Sequence, residues 1–502
     1  MTLPSPTPAA ACLAAAGALD GAVVVAYLIA VIALGLWVGR GQRTTTDFFL
    51  GGRTLPGWAI LLSIVATETS TVTFLSIPGL AYRDGGDMTF LQITFGYMVG
   101  RVAAAVVLVP LYFRGETFTA YEVLQQRFGQ ASRRVASALF LLTRNASDSL
   151  RLYLTAIALR EVLQIDFAAC VLAVGGVTLA YTYFGGVKSV IWNDCLQFVV
   201  YMAGGAAALA VIISRMPGGW EQVWQFADDT GRLRVLNFDL RLATGGYTFW
   251  AGVIGGGFLT AATHGVDQLT VQRLLSARSQ RSAQTALVAS GIVVCGQFAL
   301  FLMIGAALAC FYGEFPPASG FDAGHQDRVF SHFIVNELPT GLTGLTLAAV
   351  FAAAMSTLSS SLNSSATALL NDLLPTTPSD ATDERAQLRR GRLLTILFAV
   401  VQVAGALVAY YGGVTDSVVN SVLKIAGFAW GPLLGLYLLG VLAKHVEQRE
   451  ALLAFACGVV ILATVATTTA VDWPWYAAIG AVVTFVTGLG LAPFAAAPAA
   501  DE

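Results

Sequence analysis

Glu68 lies inside a long apolar run, 57–82, within the polar string Ala66-Thr67-Glu68-Thr69-Ser70-Thr71. A carboxylate in the middle of a membrane span is costly to keep, so it marks a substrate or ion pathway. The hydroxyls beside it can satisfy backbone groups that a broken helix sets free. A second string offers uncharged oxygen: Ala353, Ser356, Thr357 and Ser360, spaced three and four apart, fall on one helical face. Hydroxyl, carbonyl and carboxylate oxygens are what a hard cation selects, although small residues in this pattern equally allow two helices to approach closely. A third string, Arg144, Ser147, Asp148 and Arg151, also shares one face. An arginine there could offer a bidentate fork to a carboxylate. Alternatively, Arg144 or Arg151 pairs with Asp148, and Glu68 pairs with Arg101 or Lys424, in a purely structural network. Asp194 stands in an otherwise apolar segment and needs a partner, a cap or an ion. His264 could titrate near neutral pH or simply hydrogen-bond freed backbone.

These residues must be held by membrane spans. The chain has 502 residues, 56% hydrophobic and only 12% charged, against about 25% charged in ordinary soluble domains. Mean hydropathy is +0.71. An all-α polytopic membrane protein follows. The net charge of -2 gives no footprint for a nucleic-acid partner. Six cysteines, none in a CxxC pair, read as small core residues. The first 19 residues carry no Lys or Arg, which is unlike the basic start of a cleaved signal peptide. At roughly 20 apolar residues per span, about thirteen transmembrane helices are expected, at 20–39, 57–82, 88–113, 134–163, 167–184, 187–213, 246–273, 282–312, 342–371, 391–411, 415–442, 450–469 and 473–494. Loops rich in Lys and Arg alternate with poorer ones, which predicts an outside N-terminus and a cytoplasmic C-terminus in the cell membrane.

Two spans look interrupted: the one holding Glu68, and another with Gly255-Gly256-Gly257 followed by Thr263-His264-Gly265. They start about five spans apart, the arrangement expected of an inverted-repeat transporter. The predicted organisation is an N-terminal segment with one accessory helix over 1–56, a first five-helix repeat over 57–213 and an extracellular loop over 214–245. A second five-helix repeat over 246–442 and two accessory helices with a short tail over 443–502 complete it.

Several strings resemble the sodium/solute symporter family, which shares the LeuT fold. They are Asp47-Phe48-Phe49-Leu50-Gly51-Gly52-Arg53, Tyr183-Phe184-Gly185-Gly186 with Ile191-Trp192-Asn193-Asp194, Asp267-Gln268 with Val271-Gln272-Arg273, and Ala353-Ala354-Met355-Ser356-Thr357-Leu358-Ser359-Ser360. The bacterial sialic acid and proline branches are nearest. The resemblance implies a 5+5 inverted-repeat core and Na+ as coupling ion. It places a principal sodium site at the carbonyls of Ala66, Thr69 and Ala353 and the hydroxyls of Ser356 and Thr357, and a second site at Ser356, Ser359, Ser360 and Asp194. It places substrate contacts at Glu68, Ser70, Thr73, Phe90, Thr94 and Ser147. Two positions depart from the sialic acid branch: Ser147 stands where that branch has an arginine, and Glu68 where it has a small hydroxyl residue. Arg144, Asp148 and Arg151 join the candidate substrate residues for that reason, and His264 joins them as the titratable group beside the second break.

The expected function is secondary active import of a small polar organic solute, carboxylate-bearing or zwitterionic, with two Na+. A neutral sugar or nucleoside is the alternative within that class, and a transporter-like membrane sensor the alternative outside it. No HExxH, GxSxG or P-loop motif argues for an enzyme. The partners expected are the solute and the lipid bilayer, with no obligate protein partner.

Overall fold

The computed structural model describes residues 17–492, apart from 116, 164, 243–246, 318–327, 375–382 and 414–417. In hydrocarbon every backbone polar group must be paired internally, and long apolar runs answer this by forming helices. Among the described residues the chain is helical, with a single isolated bridge joining Leu55 and Ala277. The principal helices are α1 (Ala18–Val38), α2 (Gly57–Glu68), α3 (Thr71–Tyr82), α4 (Leu91–Ala103), α5 (Gln130–Leu163), α6 (Phe167–Arg215) and α7 (Gly256–Gly265). They continue as α8 (Gln268–Leu275), α9 (Gln280–Glu314), α10 (Leu342–Ala368), α11 (Glu384–Tyr411), α12 (Val418–Leu442), α13 (Gln448–Thr468) and α14 (Tyr476–Leu491).

Both expected interruptions are real. Between α2 and α3 the axis turns by 63°. Thr69 and Ser70 there are extended, at φ -83°, ψ 101° and φ -90°, ψ 168°. The second break lies at Val266 and Asp267, just beyond Gly265, and the glycines at 255–257 are not its cause. Gly256 and Gly257 serve the close approach of α7 to α4, while Gly255 packs on Pro474. A Cβ on Gly100 would lie 2.3 Å from the carbonyl oxygen of Gly257, and one on Gly96 would lie 2.0 Å from that of Gly252. Gly100→Ala should therefore overpack this crossing and cost about 1–3 kcal/mol. The apparent melting temperature of the purified protein should fall, while Gly176→Ala, which faces open space, leaves it unchanged.

Among the described residues, eight helices are individually long and apolar enough to cross a membrane, nine if the bent α2–α3 pair counts as one span. The sequence count of about thirteen is not reached by length and apolarity alone. Helix α5 carries Arg144, Asp148 and Arg151 along its middle, and the α7–α8 span is cut in two. Helix α6, at 49 residues, runs about 70 Å, far longer than one bilayer crossing. It bends at Gly186, whose φ of 50° and ψ of -157° suit only glycine.

Apolar packing divides into two large clusters. One includes Phe48, Ile64, Tyr112, Cys195, Leu362 and Tyr437. The other includes Ala66, Phe74, Tyr201, Phe301, Met355 and Leu358. Their boundary crosses α2 between Ile64 and Ala66, α6 between Cys195 and Tyr201, and α10 between Leu358 and Leu362. Asp194, Ser356, Thr357 and Ser360 flank this boundary and are buried, where an unpaired polar group is costly.

Candidate functional site

Asp194 of α6 is fully buried. Its Oδ1 accepts from Ser356 Oγ at 2.7 Å, and its Oδ2 accepts from Ser63 Oγ at 2.5 Å and from Thr67 Oγ1 at 3.4 Å. Helices α2, α6 and α10 thus converge on one carboxylate. Ser359 points elsewhere: its hydroxyl donates to the Ser356 carbonyl at 3.1 Å. Sequence reasoning did not count Arg273 of α8 as a site residue, and it stands in the centre. Its Nη2 lies 3.2 Å from Asp194 Oδ2 and 2.6 Å from Thr67 Oγ1, and it also donates to Ser360 Oγ. Its Nε reaches Ser63 Oγ at 2.8 Å and its Nη1 the Leu269 carbonyl at 2.6 Å. The available signal was a cation inside the second interrupted span, less than two turns past the break.

At the first break, Thr357 Oγ1 donates to the Thr67 carbonyl at 3.0 Å, tying α10 to the end of α2. Ala66 and Ala353 are fully buried beside it. Because the chain turns away after Thr69, the last carbonyls of α2 lose their usual intrahelical partners and are free to serve as ligands. The Thr69 hydroxyl is held by Val65, Gln297 and Tyr201. Ser70 caps α3 through the Thr73 amide at 3.4 Å. A cavity of about 10 Å³ lies beside this turn, bounded by Ser70, Thr71, Arg151, Thr155, Ala353 and Thr357. That is room for roughly one water molecule, so a solute enters here only when the helices around the break move apart.

The buried charges pair off. Arg101 donates to Glu68, and its Nη2 also lies 3.2 Å from His264 Nε2. Arg144 reaches Asp267 at 2.5 Å and Asp148 at 3.6 Å, while Arg151 reaches Asp148 at 2.7 Å. With Arg273 and Asp194, four arginines face four carboxylates, so the cluster is neutral as it stands. Of the four arginines, Arg151 has the most accessible side chain at 22%, against 0% for Arg101 and 5% for Arg144. The two readings of the α5 charges therefore divide between residues: Arg144 is spent inside the network, and Arg151 borders the cavity.

Other expected positions are placed differently. His264, open to titration or to bonding freed backbone, turns its ring to Arg101, with Glu68 at 3.6 Å and the Thr263 hydroxyl at 3.0 Å. Phe90 packs edge-on against Tyr247 and Phe298. Thr94 donates to the Leu91 carbonyl at 2.6 Å. Ser147 is buried on α5. None of these, nor Glu68 or Thr73, lines the cavity at the break. The side chain of Lys424 lies outside the described residues.

Comparison with known proteins places this geometry. A family model, the sodium:solute symporter family, matches residues 48–458. The sodium/sialic acid symporter NanT of Aliivibrio fischeri is 28% identical over 95% of this chain and 93% of its own. The human sodium/iodide cotransporter is 30% identical over 89% of this chain and 69% of its own. The solved structure of a Na+-coupled sialic acid symporter, substrate-bound and outward-open, superposes with a TM-score of 0.86 at 26% identity, covering 96% of this chain and 98% of that one. The all-helical LeuT-type fold is thereby established.

Proposed function

Because the chain belongs to the sodium:solute symporter family and is a Na+-coupled membrane symporter, not an enzyme, we propose that it imports a small organic anion, with a carboxylate held by Arg151 beside the first helix break. The observation that carries this reading is Arg151 itself, the arginine of the buried network that borders the cavity. Ser147 cannot supply the arginine found at that position in the sialic acid branch; one turn further along the same helix, Arg151 can offer a fork to a carboxylate. Sialic acid and iodide, the solutes named for two relatives, are both anions. A neutral charge cluster that receives one anion needs added cations, and sodium supplies them.

The principal sodium site consists of the carbonyls of Ala66, Thr69 and Ala353 with the hydroxyls of Ser356 and Thr357, all of them oxygen as a hard cation requires. A second ion would take Asp194, Ser356, Ser359 and Ser360 once Arg273 withdraws. Transport proceeds by alternating access between two five-helix repeats, 57–213 and 246–442, with the N-terminus outside and the C-terminus in the cytoplasm.

Reconstituted protein under an inward Na+ gradient should accumulate labelled sialic acid or a monocarboxylate, with iodide as the inorganic comparison. Arg151→Gln should weaken apparent affinity about 10- to 100-fold, the worth of a charged hydrogen bond of roughly 1.5–3 kcal/mol, and Arg151→Lys should weaken it less. Unchanged affinity in Arg151→Gln would remove the carboxylate from this position.

A further inference from the structure

Four charges run in line from the cavity into the protein: Arg151, Asp148, Arg144 and Asp267. Asp148 is fully buried, and a single oxygen, Oδ1, takes both arginines, Arg151 at 2.7 Å and Arg144 at 3.6 Å. Its other oxygen, Oδ2, is buried with no hydrogen-bond partner. Arg144 is pulled the other way, its Nη2 lying 2.5 Å from Asp267, while its guanidinium lies over the Trp430 ring at 5.2 Å. Asp267 is the N-cap of α8 and also accepts from the Leu269 amide at 3.1 Å. The line therefore ends on the second helix break and ties α5 to the broken span. Helix α5 packs mainly on α11, α10, α6 and α12, and the α7–α8 span mainly on α4, with α12 and α10 shared between them.

The arrangement is bistable by construction. Arg144 stands between two carboxylates, one close and one about 1 Å further off. Asp148 holds a free buried oxygen, which is costly to leave unmade. Asp267 keeps its capping bond whether or not Arg144 is present. We propose that Arg144 is a shuttling counter-ion that links substrate binding to release of α8: when an anion takes Arg151, Asp148 loses its nearer cation and draws Arg144 off Asp267, which unlocks the α5–α8 contact. Coulomb attraction scales inversely with distance and is strong where water is excluded, so a shift of about 1 Å in a buried triad changes the preferred partner. Asp148 is here a positioning residue, and Asp267 with Arg144 forms the lock. The coupling rests on the reading of Arg151 as the anion contact; the lock itself does not.

Two arms test this with full-length protein. The first needs no substrate. In Na+ alone, Asp267→Asn should raise hydrogen–deuterium exchange of the 268–275 segment about tenfold or more over the parent, since local opening sets the rate. Equal exchange in the parent and Asp267→Asn would overturn the lock. The second arm uses labelled sialic acid and a monocarboxylate as probes. Asp148→Asn should keep probe binding, read as Na+-dependent thermal stabilisation, within about threefold of the parent while maximal uptake falls about 30-fold. Asp148→Asn/Arg144→Gln, neutral overall and lacking the lock, should recover uptake to within about fivefold. Loss of binding and of melting temperature in Asp148→Asn, in proportion to its lost uptake, would make the aspartate a structural residue and overturn the relay. If no probe binds even the parent, the reading of Arg151 fails and the coupling fails with it, while the exchange arm still decides the lock.

Discussion

Arg101→Gln should be among the most damaging single substitutions in the polar core, lowering stability by about 3–5 kcal/mol, and Glu68→Gln in the same chain should return most of that loss. Arg101 is fully buried on α4, and its Nη2 serves both Glu68 and His264. Taking the arginine away leaves the Glu68 carboxylate in a low-dielectric site with the His264 ring as its nearest neighbour. Breaking a buried pair from one side costs that much because the remaining charge has lost its compensation. Removing both partners removes the charge altogether. Arg101 also keeps two buried nitrogens, Nε and Nη1, without hydrogen-bond partners, so the pair carries an unmet polar cost of its own. The neutral double variant can therefore match the parent or exceed it. Melting of the purified protein in detergent, for the two single variants and the double, gives the coupling directly. An Arg101→Gln protein as stable as the parent would show that Glu68 is satisfied by something else. The double variant also decides what Glu68 does: if its substrate preference and Na+ affinity match the parent, the glutamate belongs to the structural network.

Much of this site was legible because membrane burial makes polar residues expensive. Glu68 stands out against 57–82, and the turn it marks is present as a 63° break. The Ser/Thr pattern on α10 was visible from spacing alone, and three of its hydroxyls do face or join the Asp194 cluster. What the sequence could not give is which charge meets which. Helical spacing puts Arg144, Asp148 and Arg151 on one face, but Asp267 lies 123 residues further along the chain, and no local rule connects them. Arg273 was missed for the same reason. Its partners come from α2, α6 and α10, and nothing in the 268–275 segment alone says that it aims at Asp194. The second break was legible at Thr263-His264-Gly265, but not that the earlier glycines have no part in it, because glycines signal two things at once, a bend and a close approach. Here Gly252, Gly256 and Gly257 face α4, and the bend is made by Val266 and Asp267.

Asp194→Asn should reduce the Na+ Hill coefficient of uptake from about 2 to about 1 and lower the substrate accumulation ratio about 50-fold at 100 mV. One elementary charge moved through 100 mV contributes about 2.3 kcal/mol, and each 1.4 kcal/mol is tenfold. The carboxylate is the single formal charge among the second-site oxygens, so the amide leaves hydroxyls alone to compete with hydration of the ion. Arg273 sharpens the expectation. Its Nη2 lies 3.2 Å from Asp194 Oδ2 and 2.6 Å from Thr67 Oγ1, and a sodium ion cannot bind the same oxygens while those N–H groups point at them. Guanidinium and Na+ are therefore competitors for one carboxylate. Arg273 can let go without leaving the helix, since its Nη1 remains bonded to the Leu269 carbonyl at 2.6 Å. Arg273→Gln should then raise apparent Na+ affinity while the Hill coefficient stays near 2, the opposite of Asp194→Asn. Uptake measured against Na+ concentration in proteoliposomes, with the charge moved per substrate recorded in parallel, separates the two. If Asp194→Asn left both the slope and the charge ratio unchanged, the carboxylate would be no more than a partner for Arg273, and a single Na+ at Ala66, Thr69, Ala353, Ser356 and Thr357 would have to drive the cycle.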